Sequence, residues 1–195
     1  MPLPDLVAAA FHWLEYIGLL VAIGSLVVRR LARLAPRIEW AEPPPAVIAA
    51  GAVAGAIGLL ETWPPRSVLI GGVHLVGAGV WAGGILAMAT LRPPGGWRAP
   101  EAAVLIDRFA RVAPIAFAVT ALTGVIRATE RLSALGDLWM TPYGMVLDLK
   151  CFAVLAMLAL SIAWRRGLPA ARGEAFVAVA VAGATALLAA FPAPA

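Results

Sequence analysis

Charge is scarce in this 195-residue chain. Asp, Glu, Lys and Arg make up 13% of it, where soluble domains carry about 25%. Set beside 62% AVILMFWYC residues and a mean hydropathy of +0.90, that shortage excludes a water-soluble fold. One cysteine, Cys151, excludes an intramolecular disulfide framework. No phosphate-cradling glycine loop, zinc-hydrolase helix, Cys-x-x-Cys pair or nucleophile elbow occurs, so soluble-type enzymology has no foothold. A basic leader is missing too, because Met1-Pro2-Leu3-Pro4-Asp5 carries no cation and the apolar run after it is long enough to span. The first helix is therefore expected to insert and stay. The net charge of +4 reports on topology and does not imply nucleic acid.

What is present is hydrocarbon. Of 195 residues, 62% is about 121 apolar side chains, and a transmembrane helix uses roughly 20, so there is room for about six. The runs lack the alternation of barrel strands. The expectation is an all-α integral membrane protein, a single domain over residues 1–195 built as a bundle of six transmembrane helices. The spans read as Leu6 to Val28, Ala46 to Leu60, Val68 to Leu91, Val112 to Ile126, Tyr143 to Trp164 and Ala175 to Phe191.

Basic residues set the orientation. Arg29, Arg30, Arg33, Arg37, Arg92, Arg98, Arg108, Arg111, Arg165, Arg166 and Arg172 fall in the odd loops, while the even ones hold Arg66, Arg127 and Arg131, with Lys150 inside a span. The odd loops then face the cytoplasm and both termini lie outside. Trp13, Trp63 and Trp139 near the outer boundary and Trp40, Trp97 and Trp164 near the inner one form the expected aromatic belts. Trp81 alone is mid-span.

Spans one, three and five run from outside to inside, so depth can be counted from each start. His12 lies six residues past Leu6 and His74 six past Val68, about 9 Å in from the outer end at 1.5 Å per residue. Asp148, Lys150 and Cys151 reach similar depth, and Glu15 and Tyr16 share the face of His12. A layer of ionisable residues thus occupies the outer third of the bundle. Each such group costs about 2.5–3.5 kcal/mol to insert, so it should face the bundle interior or a watery cavity. Met88 and Met157, in the inner half, read as packing.

The two histidines suit a copper ion, because neutral imidazole binds copper, or a b-type haem with His12 and His74 as axial ligands. In the haem alternative Arg127 or Lys150 pairs with the propionates. Two unrelated hydrogen-bonded histidines are the blander option. Met140, Met145 and Cys151 are soft donors of the kind Cu(I) selects, or gap fillers. Asp148 and Lys150 do not face each other and need partners elsewhere: Glu15 or the helix-three face for Lys150, Arg127 or Arg131 for Asp148.

Gly51 and Gly55, Gly79 and Gly83, with Gly58 and Gly84, are spaced for close helix packing. Residues 127–141 form an extracytoplasmic amphipathic segment, with Leu132, Leu135, Leu138 and Trp139 on the membrane surface and Gly136 and Asp137 breaking it. A lid over the polar layer is its expected role. Thr141 reads as N-cap and Pro142 as the first residue of the next helix.

From helix three to helix five the sequence resembles the CopD family, the copper-resistance protein D membrane domain. The residues concerned are His74, Trp81-Ala82-Gly83-Gly84, Arg108-Phe109, Thr123-Gly124, Asp137-Leu138-Trp139-Met140-Thr141-Pro142-Tyr143-Gly144, Lys150 and Arg165-Arg166, within residues 70–166. The His74 to Gly84 piece by itself also looks like membrane proteins of haem synthesis. His12 and Gly24 look like the first helix of longer members. The resemblance implies a multi-pass protein of a bacterial-type cytoplasmic membrane that handles copper and passes it inward, with membrane lipid and an extracytoplasmic copper-binding protein as partners. It makes His74, Trp81, Tyr143 and Lys150 family-pattern residues. Ala110 stands where the family often has Ser, Asp148 where an apolar residue is usual, and no soluble copper-binding domain is expected here.

Overall fold

The computed structural model describes residues 5–62, 68–130, 132, 134, 136–165 and 171–190, with the side chains at 59–62, 68, 164, 165 and 171–175 excepted. Trp63, Arg66, Arg131, Leu135, Arg166 and the side chains of Trp164, Arg165 and Arg172 lie outside the described residues.

Among the described residues the only regular structure is helix. α1 is Leu6–Ala32, started by Asp5, whose carboxylate accepts from the Val7 and Ala8 amides at 2.9 and 3.2 Å. A short 3₁₀ turn at Glu39–Ala41 precedes α2, Pro45–Thr62. Then come α3, Val68–Ala78, a π-helical stretch at Gly79–Gly83, and α4, Gly84–Thr90, on one continuous rod. α5 is Pro100–Thr129, α6 the single turn Asp137–Met140, α7 Pro142–Arg165 and α8 Ala171–Ala190.

Four stretches are long and apolar enough to cross a membrane: Leu6–Ala32, Leu69–Thr90, Pro100–Thr129 and Pro142–Ala163. Several ends shift by a few residues from the sequence reading, as at Ala32 of α1 and Ala171 of α8, and two differences go further. α5 begins twelve residues before Val112, because Pro100 at its first turn and the buried Ala102, Leu105 and Phe109 continue the helix below the apolar run. Asp137 opens a short helix where it was expected to break one, its carboxylate accepting from the Ala134 amide at 2.9 Å.

Small residues let the backbones meet. α1 packs most extensively on α2, with Gly18 against the backbone of Gly51 and Gly55, and Gly58 against Glu15. Where α1 crosses the π stretch, a Cβ on Gly24 would collide with the Gly83 backbone and one on Gly83 with the Leu20 carbonyl, so this crossing excludes every larger residue. Trp81, projecting from the same stretch, is 4% exposed and meets Phe117 of α5 edge-on at 4.8 Å. Met88, Leu105, Met157 and Val28 complete the core. The outward positions, among them Leu69, Ile115, Leu122 and Phe152, remain exposed apolar surface, as a lipid-facing wall requires.

Direction follows from α5. It meets α3 through His74 and Thr123 and α4 through Phe109 and Gly84, so it runs antiparallel to that rod. It also approaches α1 at Tyr16 with Arg127 and at Leu31 with Arg108, again antiparallel. Hence α1 and α3 run the same way.

The end of the bundle where α1 finishes, called inner after the orientation expected from the arginines, is closed by two polar clamps. Arg108, buried at 7% exposure, donates to the carbonyls of Leu31, Leu34 and Pro36 at 2.8, 3.3 and 2.8 Å. Leu31 belongs to the last turn of α1 and Leu34 and Pro36 to the segment just after it, so the guanidinium sits where the helix end gathers partial negative charge. Glu42 accepts from Arg33 at 2.9 and 3.0 Å and from Arg37 at 2.7 and 3.0 Å, with Arg29 at 3.8 Å. The Arg33 hydrogen bonds, opposed by partial burial and joined by Arg37, hold the Glu42 carboxyl below its usual range. Trp40 donates to Glu101 at 2.9 Å and stands edge-on to Trp97, tying the first inner loop to α5.

Arg108→Leu removes the donor from three carbonyls, and charge-assisted bonds of this kind contribute about 1.5–3 kcal/mol each before relaxation. Thermal unfolding in detergent is expected to show a loss of about 3 kcal/mol, with partial recovery in Arg108→Lys. An unchanged midpoint for the Leu variant would show that the clamp contributes nothing.

Candidate metal-handling site in the outer polar layer

The outer ends of α1, α3, α5 and α7 each bring one part of a polar layer. α1 contributes His12, Glu15 and Tyr16. The His12 Nδ1 atom lies 3.2 Å from Glu15 Oε2, one turn along, and the ring stacks on Tyr16 at 5.8 Å and 14°. His12 and Tyr16 are half-buried and Glu15 is buried.

α3 contributes His74, 9% exposed. Its Nδ1 atom is 2.9 Å from Thr123 Oγ1 on α5. The neighbouring Gly124 makes room, since a Cβ there would stand 3.4 Å from His74 Cε1. The Nδ1–Cε1 edge of the ring therefore lies flat against the Thr123-Gly124 step. Thr123, itself buried, donates to the Val119 carbonyl at 2.7 Å and approaches the Thr120 carbonyl at 3.1 Å.

Two cations border this histidine. Arg127, half-buried, is within hydrogen-bonding reach of the Tyr16 hydroxyl and acts electrostatically on both His74 and Lys150. Lys150 of α7 is half-buried and also acts on His74. Lys150 thus lies near the helix-three face, while Arg127 turns to Tyr16.

Counted from the Gly24–Gly83 crossing, His12 lies twelve residues and His74 nine residues toward the outer ends. At 1.5 Å per residue those are about 18 and about 14 Å, so the two rings sit within about one turn of each other in depth. Each has a partner of its own, a carboxylate for His12 and a hydroxyl for His74. Among the described residues, no three His, Cys, Asp or Glu side chains gather as a set that could hold a metal ion. What the layer offers a copper ion is imidazole nitrogen at two places, with one carboxylate beside the outer of the two.

The other sequence candidates fall elsewhere. Met140 is 80% exposed, Met145 62%, and Cys151 is exposed as well, whereas His74 is buried. Asp148 and Tyr143 are half-buried on α7. Trp81 is core. Trp139, on α6, is exposed at the outer end.

The turn into α7 explains Thr141-Pro142-Tyr143-Gly144. Thr141 Oγ1 accepts from the Gly144 amide at 3.0 Å and donates to the Asp137 carbonyl at 2.7 Å, so one hydroxyl caps α7 and closes α6. Pro142 takes the first helical position, and Gly144 leaves space for the Asp137 and Leu138 carbonyls. Sequence reasoning did not assign Thr120 and Thr123 to His74. The available signal was their spacing of three, which puts two hydroxyls on one helix face.

Gly124→Ala places a methyl group at ordinary van der Waals distance from the ring and is expected to leave His74 on Thr123, whereas Gly124→Leu drives the ring off α5. The ring ¹⁵N shifts of His74 in labelled protein distinguish the two variants. A Leu variant with the wild-type shifts would show that the ring's seat on Gly124 is immaterial.

Residues 102–192 match the family model described as Copper resistance protein D, just under half of the chain. The matched stretch includes Arg108-Phe109, Thr123-Gly124, Thr141 to Gly144, Lys150 and Arg165-Arg166, extends past residue 166 through α8, and begins after His74 and Trp81. No curated protein and no solved structure matches the chain. Over residues 102–192, which carry the hydroxyl that holds His74 and both cations beside it, the chain is similar to the CopD family.

Proposed function

We propose that this protein is a copper-handling protein of a bacterial cytoplasmic membrane, with six spans and both termini outside. α2, with 18 residues, and α8, with 20, join the four longer apolar helices. At 1.5 Å per residue they measure about 27 and about 30 Å, enough for a hydrocarbon core of about 30 Å. The distribution of arginines supports the orientation.

Copper, as cargo, would reach the layer from outside, past α6 with its exposed Trp139 and Met140, meet His12 and Glu15, and pass to His74. A soluble copper-binding protein docking at that outer end would be the donor. Met140 and Met145, exposed near the outer end, are candidates for the earliest contact, and Cys151 would be a soft donor deeper in the span. The single observation that carries the proposal is a buried imidazole seated by a hydroxyl within the matched family region's helix contacts.

Arg127 and Lys150 shape what such a site does. Charges near a partly buried group interact by several kcal/mol at short range even at an effective dielectric constant of about 20. A cation on His74 is then held against two positive neighbours and leaves readily. A path must bind its ion well enough to admit it and weakly enough to release it, and this electrostatic arrangement suits passage better than storage.

Wild type exposed to copper and washed on a column is expected to retain metal that His74→Ala lacks. Lys150→Gln is expected to retain about threefold more than wild type, since one repelling charge is gone, and to deliver less in whole-cell copper accumulation. Equal copper in wild type and His74→Ala would overturn the proposed site.

A further inference from the structure

We infer that Thr123 is a positioning residue for His74, holding the ring in the tautomer with hydrogen on Nδ1 so that Nε2 carries the ligating lone pair. This rests on the proposed copper site for its purpose, and on hydrogen-bond accounting for its content.

A threonine hydroxyl has one proton and two acceptor lone pairs. Thr123 Oγ1 has two backbone carbonyls within reach, Val119 at 2.7 Å and Thr120 at 3.1 Å. A carbonyl can only accept, so the hydroxyl proton is committed to its own helix, the back-bonding that Thr adopts inside α-helices. The contact to His74 Nδ1 at 2.9 Å must then be supplied with a proton from the ring.

In a neutral imidazole one nitrogen donates and the other accepts. With Nδ1–H facing α5, the lone pair resides on Nε2. Ligating histidines are ordinarily oriented in this way, with the second nitrogen donating to a fixed acceptor, and loss of that acceptor typically costs 10–100-fold in metal affinity. Here the acceptor is a neutral hydroxyl with no freedom of its own, since both its neighbours belong to the same helix. Gly124 completes the seat by admitting the ring at 3.4 Å. Two adjacent residues of α5 thus fix the tautomer and the ring plane of a residue on α3.

The chain has two histidines, which makes the tautomer directly readable. In ¹⁵N-histidine-labelled, metal-free protein, with His12→Ala used for assignment, His74 is expected to show a protonated Nδ1 and an unprotonated Nε2. Thr123→Val is nearly isosteric but cannot accept, and should lose that preference; Thr123→Ser should keep it. Thr123→Ala takes the place of the valine variant if that one does not fold. Copper affinity is expected to fall about tenfold in Thr123→Val and to return in Thr123→Ser.

A wild-type spectrum with hydrogen on Nε2, or an unchanged Nδ1–H tautomer in both Thr123→Val and Thr123→Ala, overturns the inference whatever copper does. A tautomer that shifts as stated while copper binding stays constant upholds the positioning of His74 and counts against the copper site instead.

Discussion

A polar group facing hydrocarbon has no water to turn to, so its partner must come from the protein itself. That constraint arranges both ends of this bundle. At the inner end it turns Arg108 away from solvent and onto carbonyls at and just past the end of α1. At the outer end it pairs His12 with Glu15, Tyr16 with Arg127 and His74 with Thr123. The apolar interior between them is closed by glycine contacts and by the edge-on packing of Trp81 and Phe117.

The same constraint decides what the outer layer can do. A set of three or more anionic or imidazole ligands would trap a metal ion. Among the described residues the layer instead has separated imidazoles with two cations near the inner one. Its polar side chains are individually well seated. A buried ring held by a hydroxyl keeps a fixed orientation without adding charge, while under the proposed function Lys150 and Arg127 would limit how firmly a cation stays.

Much of this was legible in the sequence, for reasons that are local. Thr141-Pro142 marks the start of α7 because capping and proline geometry act over three residues. Gly51, Gly55 and Gly58, and Gly79 and Gly83, mark the two faces of contact with α1 because small-residue spacing is itself the packing surface. The depth of the polar layer follows from helix rise and common direction. The partner assignments were not legible, since Thr123 with His74 spans 49 residues and Arg108 with Leu31 spans 77. Arg108 read as a topological charge, and only the fold shows it buried. The exposure of Met140, Met145 and Cys151 likewise depends on how α6 and α7 rotate against their neighbours, which helical spacing alone leaves open.

The central claim is that copper, in passing, is held by imidazole nitrogen deep in the outer layer and not by the sulfur donors on its surface. X-ray absorption at the copper edge on protein loaded with one equivalent tests it most directly. The account predicts a first shell containing nitrogen with the outer-shell scattering of an imidazole ring, lost in His74→Ala. A first shell of sulfur alone, or one identical in wild type and His74→Ala, would contradict it.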